Sequence, residues 1–219
     1  MNKVEEIVEN EERRDNNRKV GIRSARGITT IAILGATAGV LMLFEIPLWF
    51  APPFYQIDLS EVPVMIGAFA LGPLAGVLIE LVKILLKLMF SPTKTAFVGE
   101  FANFILGCAF VVPAALIYKV KKTKKSAYVG LGVGTLFLAA AGSFINAYIL
   151  LPFYSKAMIP MDKIIAMGTE VNGLIKNMKG MIIYAVIPFN LIKGVLVSLI
   201  VSLLYKKISF LIKDFHPSK

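Results

Sequence analysis

Long apolar runs alternate with short charged segments along this chain of 219 residues. A helix needs about 20 mostly apolar residues to cross the hydrocarbon core of a bilayer. Four runs reach that length directly, at about 28–50, 95–118, 127–152 and 182–205. The pattern therefore predicts an all-α integral membrane protein.

The apolar stretch 61–90 is too long for one straight span. A continuous helix of that length would measure about 45 Å, against a hydrocarbon core of about 30 Å. Gly72-Pro73 interrupts the stretch, and a proline inside a helix strains it. The region is expected to form either one kinked span or two short spans, 57–72 and 73–90.

The placement of the basic residues favours two spans. The net charge is +10, and sixteen of the 24 Lys and Arg residues fall in three short segments beside apolar runs, at 1–27, 119–125 and 206–219. Cytoplasmic loops of membrane proteins carry an excess of Lys and Arg. Because only the two-span interpretation puts all three segments on one side, we predict six transmembrane helices with both termini cytoplasmic.

The predicted organisation has three parts: a charged cytoplasmic tail at 1–27, a six-helix membrane domain that binds substrate at 28–207, and a cytoplasmic tail at 208–219. The first tail is too charged and too acidic for a secretory signal. Lysines clustered beside apolar runs are typical of topology signals and not of an RNA-binding face, so no nucleic-acid partner is expected.

Composition excludes several other classes of protein. With 57% hydrophobic and 17% charged residues, the balance is wrong for a soluble domain. The sequence has no phosphate-binding P-loop motif and no zinc-protease motif, and its single histidine, His216, lies near the C-terminus. The single cysteine, Cys108, provides neither a disulfide nor a metal pair. We therefore predict that the chain is not an enzyme and holds no metal or resident cofactor. We expect a solute-binding protein that does not itself hydrolyse ATP.

Polar side chains inside the apolar runs are the candidates for function, because an ionisable group at membrane depth costs about 2.5–3.5 kcal/mol on insertion scales. They are Glu80, Lys83, Lys87, Glu100, Lys193, Asn103, Asn146 and Asn190. Glu80 and Lys83 are three residues apart on one helix face, so they form either a self-neutralised structural pair or part of a site.

Asn190 and Lys193 form the most informative pair. They also lie three residues apart, and Lys193 has no acidic neighbour within its own span. An amide donates and accepts hydrogen bonds, and an ammonium offers three donors. The pair suits a neutral, planar ligand edged with carbonyl oxygens and N–H groups, unless it only joins neighbouring helices. Asn146 and Asn103, in the outer parts of their spans, are expected at the same pocket.

Two outer loops and one helix face complete the candidates. The aromatic segment 49–56, which contains Phe54 and Tyr55, is either an aromatic belt at the membrane surface or a lid over the pocket. The longer loop, 153–181, is expected to carry a short interfacial helix. Ala32 and Ala36 form a small-xxx-small face, which serves either internal packing or a partner helix.

Several motifs together resemble one family, the S components of energy-coupling-factor transporters, and its riboflavin-specific branch fits best. The resemblance covers about 28–212 and is carried by Asp58-Leu59-Ser60-Glu61-Val62-Pro63, Leu71-Gly72-Pro73-Leu74-Ala75-Gly76, Glu100-Phe101-Ala102-Asn103-Phe104, Asn146-Ala147-Tyr148-Ile149-Leu150-Leu151-Pro152 and Pro188-Phe189-Asn190-Leu191-Ile192-Lys193.

This resemblance implies a six-helix binding protein in a prokaryotic cell membrane that takes riboflavin from outside as its transported ligand. A membrane coupling subunit and two cytoplasmic ABC-type ATPases would drive release. Asn190 and Lys193 would hydrogen-bond the polar edge of the isoalloxazine ring, with help from Asn146, and the first outer loop would close over it. Ala32 and Ala36 would contact the coupling subunit.

Two alternatives to a riboflavin-binding S component stay open at this point. One is an S component for another vitamin, because the Asn-Lys edge does not by itself exclude ligands with carboxylates. The other is a stand-alone secondary carrier, which would need an ion-coupling site or a continuous polar pore.

Overall fold

The computed structural model describes residues 22–93 and 95–215, with side chains as far as Tyr205. Most of the predicted tail at 1–27 and the last residues of the predicted tail at 208–219 lie outside the described residues. Over the described part the chain is mostly helical.

The first half of the chain contains three helices and two short strands, which are α1 (Ala25–Leu41), β1 (Ile46–Pro47), β2 (Gln56–Ile57), α2 (Glu61–Leu71) and α3 (Pro73–Phe90). Six helices follow, which are α4 (Val98–Val120), α5 (Lys124–Ile145), α6 (Leu151–Ala157), α7 (Met161–Val171), α8 (Met178–Met181) and α9 (Ile187–Phe215). A π-helical turn at Asn146–Leu150 joins α5 to α6, and another at Ile182–Val186 joins α8 to α9.

Within the described residues, three helical segments are long and apolar enough to cross a membrane. They are Val98–Val120, Lys124–Ala157 and Met178–Tyr205. Two further helices, Ala25–Leu41 and Glu61–Leu71, are apolar but shorter. The fold is that of a helical membrane protein.

The stretch 61–90 forms two helices that separate at Gly72. Gly72 has a φ of +99°, a conformation that glycine adopts without a steric penalty, and Pro73 occupies the first turn of α3. Gly67 lies against Ile79 and Ala68 against Gly76, so α2 and α3 run antiparallel. The chain therefore reverses direction here, as the two-span interpretation requires.

The other long helices alternate in direction as well. Two contacts for each pair of neighbouring helices set these directions. They are Gly76 with Val111 and Glu80 with Gly107 between α3 and α4, Ala114 with Gly130 and Phe110 with Gly134 between α4 and α5, Gly142 with Asn190 and Thr135 with Gly194 between α5 and α9, and Gly35 with Val82 and Gly39 with Leu86 between α1 and α3. These contacts make α1, α3 and α5 parallel to one another and α2, α4 and α9 antiparallel to them. Glycine at each contact lets the helices approach closely in an apolar environment.

The first helix is shorter than predicted. The apolar run 28–50 predicts a span that continues to residue 50, but α1 ends at Leu41. Pro47 disfavours the helical conformation for the residue before it, and Ile46–Pro47 instead pairs antiparallel with Gln56–Ile57. An all-α prediction contains no strand, so this small ladder is a local exception at the base of the outer loop.

Both π-helical turns precede a proline. Pro152 and Pro188 each lack a backbone N–H, and each ring crowds the carbonyl group four residues earlier. A wider turn in front of each proline accommodates this strain, and such turns are frequent at functional sites. The first turn begins at Asn146, and the second ends at Val186, four residues before Asn190. Asn146 and Asn190 are the two buried amides of the predicted site.

Candidate ligand-binding site

A cavity of about 510 Å³ lies at the end of the bundle where α1, α3 and α5 end and α2, α4 and α9 begin. Its volume falls in the range that holds a small-molecule ligand. Six of the predicted substrate-binding residues line it, which are Phe54, Tyr55, Asn103, Asn146, Asn190 and Lys193. Glu80 and Lys83 are not among the described residues that form its wall.

The α9 wall presents Asn190 and Lys193 from one helix face. The Asn190 side-chain nitrogen donates a hydrogen bond to the Val186 carbonyl at 2.9 Å. Its oxygen accepts no hydrogen bond from the described residues, so it is available to a ligand. Gly142 of α5 lies directly against this amide, and a side chain at position 142 would displace it. The glycine on the neighbouring helix therefore leaves room for the Asn190 side chain, which its hydrogen bond to Val186 orients.

Lys193 pairs with a carboxylate from the outer loop. Its Nζ lies 3.2 Å from Oδ2 of Asp58, and both residues are buried. Burial by itself would raise the pKa of Asp58, but the ammonium groups of Lys193 and Lys83 and the hydrogen bonds from Ser60 hold that pKa below its usual range. Sequence analysis did not include Asp58 in the site. The sequence does contain one indication of such a partner, because Lys193 lies in an apolar span that has no acidic residue.

The outer loop folds over the cavity. The Tyr55 hydroxyl donates to Oδ1 of Asn146 at 2.7 Å, and the Asn146 side-chain nitrogen donates to the Gly142 carbonyl at 2.8 Å. The Tyr55 ring packs against Phe189, with centroids 5.3 Å apart. Of the two interpretations of this loop, Tyr55 fits a lid, whereas Trp49 is 86% exposed, as in an aromatic belt.

The loop at 153–181 supports this arrangement. It contains α7, a helix in the region where sequence analysis expected a short one. Buried Ile164 of α7 packs in one apolar cluster with Tyr55 and Phe189. The two outer loops therefore pack against each other above α9.

A second polar group lines the α3–α4 side of the cavity. Glu100 contacts Lys87 at 3.4 Å and accepts hydrogen bonds from the hydroxyls of Thr93 and Thr95, each at 2.9 Å. Asn103 lies one turn further along α4 and faces the same cavity. Lys87 of α3 is thus partnered by a carboxylate of α4.

Behind the cavity, two carboxylates share one ammonium. Lys83 Nζ lies 2.5 Å from Glu80 Oε1 and 2.9 Å from Glu61 Oε1, and all three side chains are almost fully buried. The predicted pair between Glu80 and Lys83 is therefore present, with Glu61 as an additional member. Glu61 lines the cavity wall and so connects this cluster to the site. Gly107 of α4 lies directly against the Glu80 carboxylate.

The predicted partner face lies on the outside of the bundle. Ala32 and Ala36 are both exposed, whereas Gly35 and Gly39 of the same helix face α3. Internal packing of α1 therefore uses the two glycines and leaves the alanine face open.

A helical membrane protein with a cavity of mixed polar and apolar lining at one end belongs to the class that binds a small solute. Comparison with known families is more specific. The sequence model described as "ECF transporter, substrate-specific component" matches residues 26–205. The chain belongs to this family of S components, which are parts of transporters and not enzymes.

Individual proteins agree with the family assignment. A Staphylococcus aureus protein named riboflavin transporter RibU is 35% identical over 196 residues, which cover 90% of this chain and 97% of that protein. A Bacillus subtilis protein named riboflavin transporter FmnP is 31% identical over 183 residues, 83% of this chain and 90% of its own. A solved S component of a bacterial ECF transporter superimposes with a TM-score of 0.66 at 34% identity, covering 91% of this chain and 99% of that one.

The buried cluster generates a prediction about stability. Lys83→Gln leaves two carboxylates without their shared ammonium, so we expect a loss of about 3–5 kcal/mol in unfolding free energy. Glu80→Gln removes one of two like charges around that ammonium, so we expect stability to be retained. Thermal unfolding in detergent measures both, with exposed Lys119→Gln as the control. Equal losses in the two variants would contradict this account of the cluster.

Proposed function

We propose that this chain is the riboflavin-binding subunit of an ECF transporter. The observation that carries the proposal is the placement of Asn190 and Lys193, side by side on α9, in the wall of the cavity. The relatives named riboflavin transporters support the identity of the ligand. The vitamin is the cargo of the site and not a resident cofactor.

The chemistry of the cavity suits this ligand. The isoalloxazine ring of riboflavin is planar and neutral, with one edge of carbonyl oxygens and an N–H group. The Asn190 oxygen accepts from the N–H group, and Lys193 donates to a carbonyl oxygen. Apolar side chains such as Phe54, Leu138 and Phe189 face the same space and contact the ring. Asn103, on the α4 wall, supplies an amide to the hydroxylated side chain of the vitamin.

The protein spans the cell membrane six times, surrounded by lipid, with both termini cytoplasmic. The alternating directions of α1, α2, α3, α4, α5 and α9 support this topology. The lysine-rich segment 119–125 then lies on the cytoplasmic side, as the distribution of basic residues favours. The cavity and its two covering loops lie on the outer side, where the vitamin arrives.

ATP-driven transport requires partners, because no phosphate-binding P-loop motif occurs in the sequence. A transmembrane coupling subunit and two ABC-type ATPases supply the energy. The exposed alanine face of α1 is the contact with the coupling subunit, since small side chains let two helices approach closely in lipid. Ala32 and Ala36 are therefore interface residues and not ligand-binding ones.

The binding proposal predicts that the purified protein binds riboflavin and quenches its fluorescence. Lys193→Ala removes a charged donor, so we expect the Kd to rise about 10- to 100-fold. Asn190→Ala removes a neutral partner, so we expect a rise of about tenfold. Fluorescence titration of detergent-solubilised protein measures all three affinities.

Lys176→Ala is the matched control, because Lys176 is an exposed lysine of the second outer loop, at 153–181. Its affinity is expected to equal that of the unmodified protein. If both site variants also kept full affinity, the cavity would not be the riboflavin site.

The partner proposal predicts a separation of binding from transport. Ala32→Leu together with Ala36→Leu adds bulk to the exposed face, so we expect riboflavin uptake by cells that contain the ATPase module to fall at least tenfold. Riboflavin affinity of the purified variant is expected to stay unchanged. Thr37→Leu, on another exposed side of α1, is the control. Normal uptake by the double variant would contradict this interface.

A further inference from the structure

We infer that Asp58 is a positioning residue for ligand binding: it fixes the Lys193 ammonium at the cavity and balances its charge. The inference rests on the proposed function, because riboflavin is the ligand whose affinity it concerns. It adds to the site a residue of the outer loop, 135 positions before the lysine that it holds.

The Asp58 carboxylate is itself held in one orientation. Its Oδ1 accepts hydrogen bonds from the backbone N–H of Ser60, at 2.8 Å, and from the Ser60 hydroxyl. Its other oxygen, Oδ2, is thereby directed to Lys193 Nζ at 3.2 Å. Ser60 is fully buried at the start of α2. The ammonium position is therefore determined by a rigid turn and not by the long, flexible lysine side chain alone.

The pair leaves Lys193 able to bind a ligand. An ammonium has three donors, and Asp58 accepts from one of them. Both residues line the cavity, and Asp58 is only 5% exposed while Lys193 is 7% exposed. Fixing a donor before the ligand arrives reduces the conformational entropy lost on binding.

The pair also sets the charge of this end of the cavity. An unpaired Lys193 would present a buried positive charge, which favours a ligand carboxylate. With Asp58 ionised, the pair is neutral overall, and the adjacent Lys83 is shared by two carboxylates, Glu61 and Glu80, so neither ammonium is left uncompensated. A site without excess positive charge that still offers N–H donors favours a neutral ligand with carbonyl oxygens. Asp58 thus disfavours a vitamin with a carboxylate, the alternative that Asn190 and Lys193 alone leave open.

The same residue connects the lid to the ligand-binding helix. Asp58 directly follows β2. Three residues before Asp58, the hydroxyl of Tyr55 donates a hydrogen bond to Asn146. The loop is therefore fastened to α9 through Lys193 and to the π-helical turn after α5 through Asn146. Loss of the Asp58 contact is expected to weaken ligand retention as well as the placement of the ammonium.

A double-mutant cycle tests the inference on the full-length protein, with riboflavin affinity measured by fluorescence quenching. We expect Asp58→Asn to raise the Kd by roughly 10- to 100-fold. In a Lys193→Gln background the same substitution is expected to change the Kd less than about twofold, because its effect acts through the lysine. Ser60→Ala keeps both charges but removes one bond that orients Asp58, so we expect a smaller rise.

Asp162→Asn is the matched control, since Asp162 is an exposed carboxylate of α7 near the same end of the molecule and is not in the cavity wall. Its affinity is expected to be unchanged. Thermal unfolding without ligand identifies any variant that fails to fold, and Ser60→Ala then carries the test.

Two results would overturn the inference. In the first, the unmodified protein binds riboflavin and Lys193→Gln weakens binding, but Asp58→Asn and Ser60→Ala bind normally. In the second, the loss from Asp58→Asn is equally large with and without Lys193, as a general structural role would produce. If the unmodified protein itself fails to bind riboflavin, the proposed function fails and this inference fails with it.

Discussion

A charged side chain in an apolar helix bundle is stable only beside a partner, because transfer from water costs each unpaired ion several kcal/mol. In this protein, ion pairs meet that requirement by joining different parts of the chain. Lys83 joins α3 to α2, Lys87 joins α3 to α4, and Lys193 joins α9 to the outer loop. The helix ends and the lid around the cavity are arranged so that these contacts form together.

The helix contacts and the ion pairs stabilise different parts of the bundle. Glycines such as Gly130 and Gly134 bring the helices into close contact, which is how helices associate where water expulsion contributes little. At the cavity end, the bundle opens instead, and polar side chains join apolar ones on the wall. The same packing thus leaves a cavity lined by both polar and apolar side chains, which a small planar molecule can fill.

Sequence reasoning predicted the parts of this arrangement that depend on local spacing. The reversal at Gly72-Pro73 and the common face of Asn190 and Lys193 follow from backbone chemistry and helix periodicity. The role of Asp58 did not follow, because its partner is far away in sequence and only the tertiary fold brings the two together. Hydrophobicity also overestimated the length of α1, since residues 42–50 are apolar but Pro47 turns them into a strand and loop.

The proposed site places riboflavin in the cavity with its polar ring edge against α9. A crystal structure of the riboflavin complex shows directly whether the ring lies there. We predict one riboflavin molecule in the cavity, with the ring edge within hydrogen-bond distance of Asn190 and Lys193 and with Asp58 still in contact with Lys193. A ring bound elsewhere, or one whose methyl-bearing edge faces Lys193, would contradict it.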